Sequence, residues 1–327
     1  MSEPATEEKT QKDSFGIGKG SWSRDIIHSF LPLIGLIVII VIFAILTKGN
    51  LIQTRSVKLI LSQVYVLMIS CTGVFFIMTI GGLDFSQGSI LGISSIVISS
   101  LSFYSIPLAV VAGIVSGALI GAINGLFHVK FRIASFIVTI CTMYLFRGLC
   151  AYFTTDAPVA AVTSITTLNV TWFKILMTAF ILLIGFLFFR FTKAGISLKA
   201  IGAGETAARF SGVHTDRTKF LVFVAAGAIT GFAAFLNVIK VGSITATAGN
   251  QLETQILIAL VLGGLPISGG AKVHFSNIIV GTLIYCVLNN SLVMLGYDTA
   301  VQQLIKGVIF LAVVALTIDR KSLHVIK

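Results

Sequence analysis

Residues 85–127 read FSQGSILGISSIVISSLSFYSIPLAVVAGIVSGALIGAINGLF and contain no Asp, Glu, Lys or Arg. A helix that crosses the hydrocarbon core of a bilayer needs about 20 apolar residues, so this stretch is too long for one crossing. The turn-forming residues 102–107 divide it into two predicted spans, 88–101 and 108–127. The stretch therefore predicts a protein that crosses a membrane more than once.

The composition of the whole chain agrees with a membrane protein. Of 327 residues, 56% are hydrophobic and only 11% are charged, and the mean hydropathy is +1.01. Soluble domains carry about 25% charged residues, which cover their surface. A chain with so few charges needs lipid as its apolar solvent, which argues against a soluble protein.

Uncharged apolar runs predict ten transmembrane helices in an all-α polytopic fold. The predicted spans cover residues 27–47, 64–80, 88–101, 108–127, 133–153, 172–191, 220–238, 255–264, 275–295 and 299–318. The polar residues 1–25 lack the short apolar core of a signal peptide and predict a flexible cytoplasmic tail. Residues 26–327 then form one transmembrane domain, and its longest hydrophilic connection is 192–219.

The distribution of basic residues predicts the orientation. The net charge of +11 is concentrated in 128–132, 192–219 and 319–327, whereas 102–107 and 154–171 contain no Lys or Arg. Cytoplasmic loops of membrane proteins are enriched in Lys and Arg, so both termini are predicted to be cytoplasmic. Four basic residues do not follow this rule, because they fall on the predicted outer side: Lys48, Arg55, Lys58 and Lys240. Because basic loops already account for the positive charge, nucleic acid is not an expected partner. The expected environment is the lipid bilayer.

A weak internal repeat is visible. Residues 81–86 (GGLDFS) resemble 263–268 (GGLPIS), and 117–120 with Asn124 resemble 281–284 with Asn289. Transporters often contain such repeats with helices broken at corresponding positions. Chance similarity between Gly-rich apolar segments is the alternative explanation.

The segment GGLDFSQGS at residues 81–89 predicts a broken helix. Two glycines end one span, and Asp84 followed three residues later by Gln87 has capping-box spacing for the next. Asp84 caps this helix, lies on a solute path, or does both, because acids within membrane spans are functional candidates. Asn124, Asn289 and Asn290 either bond neighbouring helices or line the path. The candidate path residues are Asp84, Ser86, Gln87, Asn124, Asn289 and Asn290.

Residues 203–213, in the longest hydrophilic connection, read AGETAARFSGV. Residues 205–211 predict a short amphipathic helix, and Gly212 is suited to end it. Small residues on its surface would let another protein approach closely, although an ordinary basic loop is the simpler interpretation.

At this point the chain resembles a known family. Thr206-Ala207-Ala208-Arg209-Phe210-Ser211-Gly212 is similar to the Glu-Ala-Ala-x-x-x-Gly coupling helix of ABC importer permeases, with Thr206 in place of Glu. Residues 81–89, 147–149, 220–235, 288–290 and 302–307 resemble the corresponding runs of ribose- and galactose-type permeases. The resemblance extends over residues 31–318.

The resemblance implies an ATP-driven sugar importer. It implies a multi-pass permease of the bacterial inner membrane that moves a monosaccharide or similar small polar solute by alternating access. Its implied partners are cytoplasmic ABC ATPase subunits, a periplasmic or lipid-anchored solute-binding protein, and a second permease copy or paralogue. The residues implied to contact the ATPase are Ala203, Glu205, Thr206, Ala207, Ala208, Arg209, Phe210 and Gly212.

Two other functional classes are considered. An ion-coupled secondary transporter would need buried ionisable residues, and Asp84 is the main candidate. A membrane enzyme would need a catalytic cluster, and the sequence offers no catalytic, metal-binding or cofactor-binding set. It also has no GxxxxGK[ST] loop, so ATP hydrolysis is expected in another subunit. The solute cannot be named from the sequence.

Overall fold

The computed structural model describes residues 19–271 and 273–317, with side chains for 32–271 and 273–315. Within this part of the chain, six helices are long and apolar enough to cross a membrane. They are α2 (Thr54–Thr79), α4 (Ile106–Lys130), α5 (Ser135–Phe153), α7 (Thr171–Phe191), α10 (Thr215–Val241) and α12 (Ser276–Met294).

Four shorter apolar segments complete the predicted ten. They belong to α1 (Lys19–Leu46), α3 (Gln87–Leu101), α11 (Leu252–Leu262) and α13 (Thr299–Thr317). The remaining elements are a 3-10 helix (Asn50–Ile52), α6 (Thr163–Thr166), α8 (Lys193–Ala203), α9 (Glu205–Phe210) and the antiparallel strands β1 (Val159–Ala160) and β2 (Ser243–Ile244). The prediction of an all-α polytopic membrane protein is confirmed.

The ends of several helices differ from the predicted spans. Helix α2 begins at Thr54, ahead of the predicted residue 64, because the exposed Arg55 and Lys58 continue the helix beyond its apolar part. Helix α1 begins at Lys19, within the predicted tail. Residues 1–18 of that tail and the predicted basic end at 319–327 lie outside the described residues.

Helices α2, α10 and α12 form the centre of the protein. Their membrane-crossing parts are mostly buried, and Phe75 of α2 and Phe223 of α10 are among the largest fully enclosed side chains. Helices α4, α5 and α7 instead expose apolar side chains such as Leu119, Tyr144 and Phe180. Apolar residues facing outward are expected where lipid is the solvent.

The first broken span joins α2 to α3. Helix α2 ends at Thr79, Gly81 takes a positive φ of 78°, and residues 82–86 have no regular structure before α3 begins at Gln87. Two N–H groups of this segment are satisfied by α5: Leu83 donates to Ser135 Oγ at 3.1 Å and Phe85 to Thr139 Oγ1 at 3.1 Å. The broken segment therefore follows α5 into the protein.

The second broken span joins α10 to α11. Helix α10 ends at Val241, Gly242 has a positive φ of 70°, and the chain passes through β2 to a turn that leads into α11. Gly249 of this turn lies so close to Gly88 of α3 that a Cβ on either would overlap the other's carbonyl oxygen. The two short helices, α3 and α11, therefore begin side by side.

From this shared point, α3 and α11 run in opposite directions. The residue after α3, Ser102, accepts a hydrogen bond from Val162 N–H next to β1, at 2.9 Å. The loop after α11 instead reaches the end of α2, where Gly270 N–H donates to the Thr79 carbonyl at 3.3 Å. Two oppositely directed half-helices that meet inside the protein are typical of inverted transporter repeats.

This geometry supports only part of the repeat seen in the sequence. Gly117 in α4 and Gly281 in α12 lie in helices that follow α3 and α11 respectively, as corresponding positions should. The similarity between 81–86 and 263–268 does not correspond to equivalent places in the fold. The run 81–86 leads into the half-helix α3, whereas 263–268 leads into the full-length α12. The structural counterpart of Gly81 is Gly242, which also directly follows a long helix.

Helices α4 and α10 pack closely through glycines. Glycines recur every four residues on α4: Gly117, Gly121 and Gly125 face α10, and Gly113 lies between α10 and Ile98 of α3. A Cβ at Gly117 would lie 3.0 Å from the Gly231 Cα atom, and one at Gly121 would overlap the Phe223 carbonyl oxygen. Small residues let membrane helices approach until their backbones touch, which provides van der Waals contact that lipid cannot replace.

We expect Gly121→Val to destabilise the protein by about 1–3 kcal/mol, because the added side chain has no space against α10. The matched control is Gly148→Val on α5, where a Cβ would meet no atom within 4 Å. The check is the melting temperature of the purified protein in detergent. Equal melting temperatures for the two variants would contradict the close packing of α4 on α10.

Candidate functional site

Asp84 organises the first break. Its side chain is 1% exposed, and it accepts hydrogen bonds from the Ser86 N–H at 2.8 Å, the Ser86 hydroxyl at 2.6 Å and the Gln87 amide at 2.6 Å. This is not the predicted capping box, since Ser86 occupies the N-cap position and Asp84 lies two residues before it. The carboxylate instead gathers the polar groups that the break would otherwise leave unpaired. Charge-assisted hydrogen bonds of this kind are about twice as strong as neutral ones.

The hydrogen-bond network continues into three other helices. Asn124 of α4 donates to Ser86 Oγ at 2.8 Å and accepts from the Thr142 hydroxyl of α5 at 2.7 Å. Gln87 accepts from the Thr230 hydroxyl of α10. These side chains are all buried. The structure thus brings together four of the six predicted path residues, each with its hydrogen bonds made inside the protein.

The other two predicted path residues lie elsewhere. Asn290 of α12 donates to Gln63 Oε1 of α2 at 2.9 Å, and Gln63 donates back to Asn290 Oδ1 at 3.4 Å. Asn289 accepts from the ammonium group of Lys306 of α13 at 3.0 Å. The structure therefore places the two asparagines in contacts of α12 with α2 and α13, apart from Asp84.

A second acid supports the second break. Glu253, in the first turn of α11, has a side chain 7% exposed and lies 3.0 Å from Arg147 of α5. Arg147 also donates to Asn250 Oδ1 at 2.8 Å. The pairing of Arg147 with Glu253 is not among the contacts predicted from the sequence. A usable signal was present, because Glu253 is the one acid between residues 217 and 297 and opens a short span, as Asp84 does.

A cavity of about 570 Å³ lies where the two breaks approach α12 and α13. Leu83 and Phe85 from the first break and Gln251 from the second contribute to its wall. The other lining residues are Thr254, Gln255, Leu257, Ile258, Val261, Ile267, Tyr285, Gln303, Lys306, Gly307 and Phe310. Volumes of 300–1,000 Å³ are usual for small-molecule sites. None of the six residues predicted to line a path is on this wall, although Asn289 holds Lys306.

Helix α9 has the predicted short amphipathic form, and Gly212 follows it with a φ of 83°. Ala208, one of the residues implied to contact the ATPase, is 3% exposed and packs inward. Phe210, by contrast, is 89% exposed. Glu205 accepts from Lys219 of α10 at 2.6 Å, which fixes α9 to the start of that helix.

Helix α8 connects this region to the first break. Gly202 of α8 lies against the Thr79 carbonyl at the end of α2, so closely that a Cβ there would overlap it. The same Gly202 faces the backbone N–H of Gly270, in the loop between α11 and α12. The segment α8–α9 therefore contacts the backbone next to both short helices.

The chain is similar to permeases along most of its length. A family described as branched-chain amino acid transport system permease component matches residues 56–314. The ribose import permease protein of Escherichia coli K12 is 30% identical over 302 residues, covering 89% of this chain and 93% of that protein. The ribose import permease protein of Bacillus subtilis is 30% identical over 315 residues, covering 89% and 92%.

A third relative carries a different sugar in its name. The L-arabinose ABC transporter permease protein of Azospirillum brasilense is 29% identical over 288 residues, covering 85% of this chain and 84% of that protein. No solved structure gives a significant match.

We expect Asp84→Asn to fold and Asp84→Leu not to. Asn retains an acceptor for the Ser86 N–H, whereas Leu leaves buried donors unpaired, at about 1–3 kcal/mol each. Ser70→Ala is the control, because the Ser70 hydroxyl is buried without a hydrogen bond within the described chain. The measurement is the yield of monodisperse protein in detergent. A yield of Asp84→Leu equal to that of Ser70→Ala would contradict the assigned role.

Proposed function

The chain belongs to the family of branched-chain amino acid transport system permease components, and we propose that it carries a monosaccharide across the membrane. As a permease of this kind, it is the membrane-spanning subunit of an ABC importer, and ATP is hydrolysed in a separate subunit. The observation that supports a sugar is full-length similarity to permeases named for ribose and L-arabinose. The same similarity favours an ATP-driven importer over an ion-coupled transporter.

The family implies an ATPase and a substrate-binding protein as partners. We infer a finer composition of two cytoplasmic ATPase subunits, a periplasmic or lipid-anchored binding protein, and a second copy or paralogue of this chain. Two copies would pair two ATPase sites with two permease surfaces, as the closed two-fold symmetry of most oligomers favours. The binding protein would deliver the sugar to the outer side.

The ATPase contact is proposed at α9. Phe210 is exposed on a helix that Glu205 and Lys219 fix to α10. An exposed aromatic side chain on a rigid support is a common anchor of protein interfaces. Ala207 and Thr206 are also exposed beside it, whereas the buried Ala208 would support the helix from within.

We infer that a displacement of α9 would be transmitted to the two broken spans through α8. Helix α8 precedes α9 in the chain, and Gly202 of α8 lies directly against the Thr79 carbonyl at the end of α2. Because packed backbones in van der Waals contact cannot be compressed, a displacement at the ATPase would shift the segment 81–86. Alternating access would follow from such shifts, with the network around Asp84 keeping the break intact.

We propose that α9 and both termini are cytoplasmic. The connection 192–219 is the most basic interior segment, and 154–171 contains no Lys or Arg. Under this proposal, α6 and the strand pair lie outside and α8–α9 lie inside.

We expect Phe210→Ala to weaken ATPase binding by about 30-fold or more, in line with the loss of an interface hot spot of about 2 kcal/mol or more. Phe103→Ala is the matched control, since Phe103 is 63% exposed between α3 and α4, on the proposed outer side. The measurements are co-purification of the ATPase and ATP-dependent uptake. If Phe210→Ala retains both at the level of Phe103→Ala, α9 does not contact the ATPase.

The orientation is tested with single cysteines in a variant in which the four native cysteines are replaced by Ala. Ser164→Cys, exposed near α6, should react with an impermeant thiol reagent in intact cells, and Ser211→Cys after α9 should react only in opened cells. The reverse labelling pattern would invert the proposed topology.

A further inference from the structure

The cavity lies at the meeting point of the two broken spans. Leu83 and Phe85 lie in the irregular segment before α3, and Gln251 immediately precedes α11. Transporter binding sites are commonly formed near the bilayer midplane by broken helices of this kind. The place of the cavity in the fold thus indicates a solute-contact site, whereas the side chains of the network around Asp84 are buried and bonded to one another.

Four polar side chains on the cavity wall have unused hydrogen-bonding capacity. Within the described part of the chain, no hydrogen bond is made by the side chains of Gln251, Thr254, Gln255 or Gln303. Each Gln amide offers two donors and an acceptor, and each Thr hydroxyl offers one donor and two acceptor lone pairs. Groups that both donate and accept match the hydroxyl groups of a polyol, which do the same.

The rest of the wall suits the carbon skeleton of a small sugar. Phe85, Tyr285 and Phe310 provide aromatic surface, and Leu257 and Ile258 provide aliphatic surface. A mainly apolar pocket with a few directed polar groups is the usual composition of a small-molecule site.

The charge of the wall favours a neutral solute. No lining residue is an acid, so a cationic solute would have no counter-charge. Lys306 is the single lining cation, and its ammonium group already donates to Asn289. The nearest acid in sequence, Glu253, is paired with Arg147. Asn289 is then a positioning residue, because it holds Lys306 at the wall.

The backbone conformation of Gln251, on the cavity wall, is unusual. This residue has a φ of 64°, which a residue with a side chain rarely adopts. The contact of Gly249 with Gly88 and the bond of Arg147 to Asn250 hold the turn in this conformation. Backbone held in an unfavourable region is concentrated at functional sites.

We propose that this cavity is a contact site for neutral polyhydroxylated solutes, recognised by Gln251, Thr254, Gln255 and Gln303. The inference rests on the proposed function, since it names the part of the permease that a sugar would touch during translocation. It assigns discrimination between sugars in part to this chain as well as to the binding protein.

The test uses the complete importer in membrane vesicles, with D-ribose, L-arabinose, D-xylose and D-allose as probes. Thr254→Val, Gln255→Leu and Gln303→Leu each remove one polar group, and Gln53→Leu, exposed before α2, is the control. The readouts are the initial uptake of each sugar and the ATPase rate stimulated by the binding protein. Because all variants share one binding protein, a changed ratio between sugars arises in the permease.

We expect each cavity variant to lower uptake by about 2- to 10-fold, the effect of one lost hydrogen bond, and to change the ratio between sugars. The ATPase rate should stay at the wild-type level, which separates solute contact from damage to the fold. The conservative variants Thr254→Ser and Gln255→Asn should retain more uptake than Thr254→Val and Gln255→Leu. If Thr254→Val or Gln255→Leu lowers the amount of protein, uptake by the conservative variants tests the contact site.

Unchanged uptake and unchanged sugar ratios in all three variants would overturn the contact site and leave the proposed function intact. Equal losses for all four sugars, with the conservative variants no better, would also overturn it, as a structural effect. If the wild-type importer moves none of the four sugars, the proposed function fails, and this inference fails with it.

Discussion

Inside a bilayer the backbone has no water to bond, so each broken span needs protein partners for the N–H and C=O groups that the break releases. The first break obtains them from Asp84 and from the hydroxyls of Ser135 and Thr139. At the second break, the pair of Glu253 with Arg147 fixes the start of α11. Asp84 meets this requirement directly, whereas Glu253 acts through Arg147, which also bonds Asn250 of the turn. Both acids lie at the start of a half-helix, where the helix dipole favours negative charge.

The positions of the other helices follow from these two supports. The network around Asp84 draws α4, α5 and α10 onto the start of α3 through Asn124, Thr142 and Thr230. Glycines then allow the backbones to touch, at Gly88 with Gly249 and along α4 with α10. The cavity is the space that remains between the two broken spans and helices α12 and α13. The solute site proposed there is therefore a consequence of how the breaks are satisfied.

The sequence predicts the membrane fold well, because apolar length alone decides which segments cross lipid. The ends of α3, α7 and α13 lie within a residue or so of the predicted spans. The site is harder to predict, because it depends on which helices meet. Asp84, Ser86, Gln87 and Asn124 are four of the six residues that the sequence predicts for the path, but their bonding to one another depends on the tertiary structure. Gln251 lies in no motif, and the run 302–307 that contains Gln303 indicates the family without a role for this residue. Only the approach of α11 to α13 gives the two residues a common cavity.

The contacts of Asp84 also help to distinguish the two possible energy sources of transport, ATP hydrolysis and an ion gradient. The oxygens of the Asp84 side chain accept three hydrogen bonds from the protein, which fits a structural role. An ion-coupling acid must instead release and rebind its cation in each cycle. The most direct measurement is sugar uptake by vesicles that contain the complete importer, with ATP supplied and all ion gradients dissipated. The account predicts accumulation that continues under these conditions and stops when ATP hydrolysis is blocked. Uptake that needs no ATP and follows a proton or sodium gradient would contradict it.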